Sequence, residues 1–65
     1  MPLTVNGQEW PMPDPPTLEN LLAAFQPPQP YAVARNEEFV HRSIYRQCTL
    51  LDGDRIEIVH PSAGG

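Results

Sequence analysis

The residues best placed to do chemistry are the last two of the sequence, Gly64 and Gly65. Read as a free C-terminus, the Gly65 α-carboxylate is a reactive handle. The glycine pair carries no Cβ atoms, so it can thread a narrow channel and lie against another protein's backbone where any side chain would clash. A carboxylate by itself is a poor electrophile, because its charge repels nucleophiles and oxide is a bad leaving group. It must first be joined to a better leaving group such as AMP. The expected chemistry is therefore activation of Gly65 inside a partner's active site, with Ser62, Ala63 and Gly64 giving access.

The side chains offer less. His41, His60 and Cys48 are the only imidazoles and thiol, and no two stand at metal-ligand spacing, so no metal site is expected. Cys48, beside Leu50 and Leu51, reads as a small buried hydrophobe rather than a nucleophile, since nothing nearby in the sequence would lower its pKa. Asp52 and Asp54 flank Gly53, and turn formation explains that run without acid–base work. No catalytic side chain is assigned.

Composition narrows the class. A chain of 65 residues has material for one domain and little room for a catalytic cleft in addition to its core. Eight acidic against four basic residues leave no footprint for a phosphate backbone, so no nucleic-acid partner is expected. No apolar run is long enough for a bilayer, and Met1-Pro2-Leu3-Thr4-Val5-Asn6 lacks both a basic n-region and an apolar h-region, so a cytoplasmic protein with no membrane association is expected.

These residues need a scaffold, and local signals supply one. Leu3-Thr4-Val5, Asn6-Gly7 and Gln8-Glu9-Trp10 predict a β-hairpin over residues 3–10, with Asn-Gly providing the two positive φ angles of a type I′ turn. Pro11, Pro13, Pro15 and Pro16 stop the pairing. Thr17 is placed to cap a helix whose apolar residues Leu18, Leu21, Leu22 and Phe25 fall on one face. Pro27, Pro28 and Pro30 end it and form a stiff connector. Tyr31–Arg35 and Phe39–Val40 are strand candidates around a turn at Asn36-Glu37-Glu38, and residues 41–49 read as neither helix nor strand. Asp52-Gly53 signals a second turn. Arg55–Val59 alternates as a strand with Ile56 and Ile58 facing inward. Residues 1–60 form the expected domain and 61–65 an expected flexible tail, which has no large apolar anchor.

This order of elements resembles the ThiS family, the sulfur carriers of thiamine biosynthesis. The resemblance rests on Val33-Ala34-Arg35-Asn36, Phe39-Val40-His41-Arg42-Ser43, the block from Asp52 to Val59, and Gly64-Gly65 at its fixed distance beyond. It covers essentially the whole chain. The segments Pro11–Pro16 and Pro27–Pro30 are richer in proline than the family usually shows, which bears on the loops and leaves the tail untouched.

The resemblance implies an α+β fold of the ubiquitin-like β-grasp type, a mixed sheet of four or five strands packed on one main helix. It implies a carrier that is itself a substrate and not an enzyme. A ThiF-like adenylating enzyme would use MgATP to activate Gly65, and a sulfur donor such as a cysteine desulfurase would supply the sulfur of a thiocarboxylate. A ThiG-like thiazole synthase would accept it. No cofactor is expected on the chain itself. The same layout also suits a molybdopterin-synthase small subunit, another ubiquitin-like sulfur carrier or modifier, or a plain β-grasp interaction module.

Overall fold

A computed structural model describes residues 2–61. In chain order it contains β1 (Leu3–Val5), β2 (Gln8–Trp10), α1 (Leu18–Phe25), β3 (Ala32–Arg35), β4 (Glu38–Val40), a 3-10 helix (Arg42–Gln47) and β5 (Arg55–Val59). The five strands form one sheet in the order β2-β1-β5-β3-β4. β1 runs parallel to β5, and the other neighbours are antiparallel. A mixed sheet with a single main helix, whose first and last strands lie side by side at its centre, is the β-grasp arrangement the sequence led us to expect.

Each element forms for a local reason. Asn6 and Gly7 turn the first hairpin with φ of 52° and 84°, as the type I′ geometry requires. Helix α1 starts at Thr17, whose Oγ1 accepts the Asn20 N–H at 3.2 Å. It ends at Gln26 in the left-handed region, whose N–H donates to Leu22 O at 2.8 Å, just before Pro27. Leu18, Leu21 and Leu22 are buried and Phe25 partly so, its ring meeting Trp10 edge-on at 5.0 Å. Burying an aliphatic side chain of this size contributes about 1.5–3 kcal/mol, so this stripe is what holds so short a helix to the sheet.

β5 alternates as expected: Ile56 and Ile58 are 1% and 4% exposed, whereas Arg55, Glu57 and Val59 face out. Register places Val33 against Ile58 and Val40 against Val33, so one face of the sheet joins Leu3, Val5 and the helix leucines in a single core.

Two details differ from the sequence reading. The second hairpin turns on two residues rather than three: Asn36 and Glu37 both have positive φ, 51° and 72°, and Glu38 already pairs with Arg35 in β4. Residues 42–47, which carry no clear period, form the 3-10 helix. The chain beyond it is tied to the start of α1, where Leu18 N donates to Cys48 O at 2.9 Å and Leu50 N to Pro16 O at 2.8 Å. Those bonds draw Cys48 and Leu50 into the core and leave Leu51 61% exposed.

Candidate functional site

Its central position in the sheet determines how β5 presents the residues beyond it. The N-terminal end of the strand is fastened by a polar cluster around Asp54, which is 6% exposed. The Asp54 carboxylate accepts Leu51 N–H at 2.8 Å, Arg35 Nε–H at 2.8 Å and Asn36 Nδ2–H at 3.1 Å. Burial alone would push this carboxyl up. The bonds from Leu51, Asn36 and Arg35, with the Arg35 charge, outweigh it and hold Asp54 below the ordinary carboxylate value. A carboxylate buried and accepting three hydrogen bonds from its own chain is a structural anchor.

Two asparagines complete the anchorage. Asn36 Oδ1 accepts Arg55 N–H at 2.9 Å while its own N–H donates to Arg55 O at 2.7 Å. On the other side, Asn6 N–H donates to Ile56 O at 2.8 Å and Asn6 Oδ1 accepts Ile58 N–H at 2.8 Å. Each turn asparagine thus adds a side-chain rung to the ladder where its own strand stops, and together they grip β5 from both edges.

The C-terminal end of β5 leads toward the glycines. Beyond Val59, His60 donates Nε2–H to the Pro28 carbonyl at 2.9 Å, and its ring meets Tyr31 edge-on at 6.5 Å. The proline-rich connector thereby braces the residue from which the terminal segment departs. Beside it the solvent face of the sheet carries an apolar strip. Register sets Phe39 against Ala34 and Ala32 against Val59, and Phe39 and Val59 are 61% and 57% exposed.

The sequence-predicted site residues Ser62, Ala63, Gly64 and Gly65, with the expected flexible tail, lie outside the described residues; Pro61 is described and exposed. The remaining candidates are not brought together. Cys48 is buried, with Arg35 Nη1 donating to its Sγ at 3.8 Å. His41 meets Phe39 edge-on at 4.8 Å, and His60 meets Tyr31. Among the described residues no three His, Cys, Asp or Glu side chains gather as metal ligands, and no helix is long and apolar enough to cross a membrane.

Sequence reasoning missed the His60–Pro28 brace, for which no local signal exists. It also missed the exposed Phe39, which was legible: Val40 points inward, and a strand's period of two then sends Phe39 outward.

Sheet order, the single helix and the central β5 define a β-grasp protein. The family model of the ThiS family matches residues 2–65, and the chain belongs to that family. It is also similar to a crystal structure of a thiamine biosynthesis protein, ThiS, from Geobacter metallireducens, at 31% identity and a TM-score of 0.81, with 100% of both chains covered. No curated protein matches the chain significantly.

Proposed function

We propose that this protein is a sulfur carrier for thiamine-type biosynthesis, acting as the substrate of other enzymes and not as a catalyst. The observation that carries this reading is the family match over residues 2–65, which runs through the Gly64-Gly65 pair. The likeness to a thiamine biosynthesis protein over the full length supports the same pathway.

In this reading the Gly65 carboxylate attacks the α-phosphate of MgATP on a ThiF-like enzyme, giving the acyl-adenylate and releasing pyrophosphate. The terminal sulfur of a persulfide, supplied by a cysteine desulfurase system, displaces AMP and leaves an acyl disulfide. A second thiol of the partner enzymes then attacks the donor's sulfur of that S–S bond, forming a disulfide between the two thiols and releasing the Gly65 thiocarboxylate. A ThiG-like thiazole synthase takes the sulfur and returns the carboxylate. Acid–base work belongs to the partners, since the buried carboxylate and thiol of this chain are committed to its own fold.

The body recognises and the tail reacts. The strip of Phe39 and Val59 beside the brace at His60 suits a partner's apolar surface, while Ser62, Ala63 and Gly64 carry Gly65 into the active site. Residues 1–60 are thus the recognition domain and 61–65 the working segment, in a cytoplasmic protein.

Intact-mass measurement of the protein from its native cell tests the proposal. Exchange of one oxygen for one sulfur at Gly65 is expected. An amide-linked adduct at Gly65 would instead mark a protein modifier and overturn it.

A further inference from the structure

The four basic residues of this acidic chain are all arginine. Two are engaged within the body, Arg35 with Asp54 at 2.8 Å and Arg55 with Glu37 at 3.7 Å. Arg42 and Arg46 are exposed on the 3-10 helix, and among the described residues neither has a carboxylate at ion-pair distance. Both line an open cleft of about 480 Å³ between the 3-10 helix and α1, with Glu19 and Leu22 on the facing wall. Tyr31, Arg42 and Tyr45 also line a neighbouring cleft of about 260 Å³ that runs past Pro30 to Phe39. The two clefts adjoin at these three shared residues, as two lobes of a surface groove.

The groove has a definite chemistry. Two guanidinium groups against the single carboxylate of Glu19 leave its first lobe positive in a protein whose net charge is -4. Its second lobe is walled by proline and aromatic rings around Arg42. Burial and Tyr31 raise the Tyr45 hydroxyl above its ordinary value and the Arg42 charge opposes them.

We propose that this groove docks an acidic segment of a partner protein: an extended stretch with carboxylates for Arg42 and Arg46 and an apolar side chain for the lobe between Pro30 and Phe39. Arginine forks match carboxylates in pairs, and tyrosine supplies contact area at low entropic cost. A free phosphate or nucleotide fits less well. Both guanidinium groups stand in solvent, where a single ion pair is screened and contributes little, whereas an extended segment collects contacts along both lobes. Tyr31 also meets the His60 ring, so the docked segment sits beside the residue from which the terminal segment departs. The proposal goes beyond the carrier reading and does not depend on it.

The test is a titration of the isotope-labelled full chain with a peptide of alternating glutamate and leucine, followed by amide NMR shifts. Saturable shifts are expected around Glu19–Ala23, Tyr31 and Arg42–Gln47, weakening as salt is added. Arg42→Glu with Arg46→Glu should weaken binding about tenfold or more. Arg42→Gln with Arg46→Gln should weaken it less, and Arg55→Glu should leave it unchanged; shift dispersion reports that each variant is folded. Removing Gly64 and Gly65 should not alter binding, which separates this groove from the tail chemistry. Equal binding of a peptide with glutamine in place of glutamate overturns the proposal, as does indifference to both arginine pairs. So does a response of the same amides to inorganic phosphate or AMP but not to peptide, which marks a small-anion site. Self-association that the glutamate pair abolishes, without peptide binding, assigns the groove to a second copy and also overturns it.

Discussion

The N-terminal end of strand β5 is fastened by a buried carboxylate with Asn36 and Arg35, whereas just beyond its C-terminal end His60 makes an exposed bond to the Pro28 carbonyl and a ring contact with Tyr31. At the first end the Arg35-Asn36 turn and the Leu51–Asp54 turn, distant in sequence, are joined through Asp54, so the three side chains stabilise the sheet jointly. At the second, a hydrogen bond and a ring contact steady His60, which stays exposed. The contrast teaches a division of labour. On the proposed carrier reading, the body would supply recognition and the terminal glycines the reacting carboxylate. Substitutions at the two ends of β5 should therefore separate, with stability answering at one end and reaction at the other.

The largest effect belongs to the terminal glycines. Removing Gly64 and Gly65 should abolish adenylation by a cognate ThiF-like enzyme, measured as ATP–pyrophosphate exchange, while the denaturant midpoint stays where it was. Gly64→Val is also expected to leave the denaturant midpoint nearly unchanged, since the sequence beyond Pro61 has no large apolar side chain to bury. A displacement of the carboxylate by about 1 Å should still slow exchange roughly a hundredfold. Exchange at the wild-type rate in Gly64→Val would remove the glycine pair from the chemistry and collapse the contrast.

Asp54 should show the opposite pattern. Asp54→Ala leaves Arg35, Asn36 and the Leu51 N–H without their acceptor, and a loss of about 3 kcal/mol is expected in urea melts. The body that remains folded at low denaturant should still be adenylated. The pH dependence comes from the lowered pKa. Because the folded-state value lies below the ordinary 3.8, the stabilisation is present above that pH and is lost as pH falls through the folded-state value. Asp54→Asn should therefore flatten the acid limb of the stability curve. An unchanged acid limb would show that this end of β5 is not held by charge.

The smallest effect sharpens the comparison most. His60→Ala removes an exposed hydrogen bond and a ring contact, so it should cost under about 1 kcal/mol in the same melts. If it cost as much as Asp54→Ala, both ends of β5 would be structural, and the terminal segment would depart from a locked residue instead of a braced one.

Much of this was legible without coordinates. Asn6-Gly7, the Thr17 cap, the leucine spacing of α1 and the alternation of Arg55–Val59 each predicted what the structure contains. Turn angles, caps and periodicity are set by residues within a few positions of one another, so the sequence carries them directly. The Gly64-Gly65 signal needed no fold at all, because its force lies in missing side chains. What only the tertiary structure decided is which residues meet across the chain. Asp52-Gly53-Asp54 announces a turn, but nothing local says that Asp54 is buried beneath an arginine 19 residues away. Asn6 signals a hairpin, yet its side-chain Oδ1 accepts the N–H of Ile58, 52 residues on. Arg42 and Arg46 read as scattered surface charge until the 3-10 helix and α1 set them around one groove. Such pairings depend on how the sheet is ordered, and sheet order comes from burying one shared apolar face, which no single stretch of sequence contains.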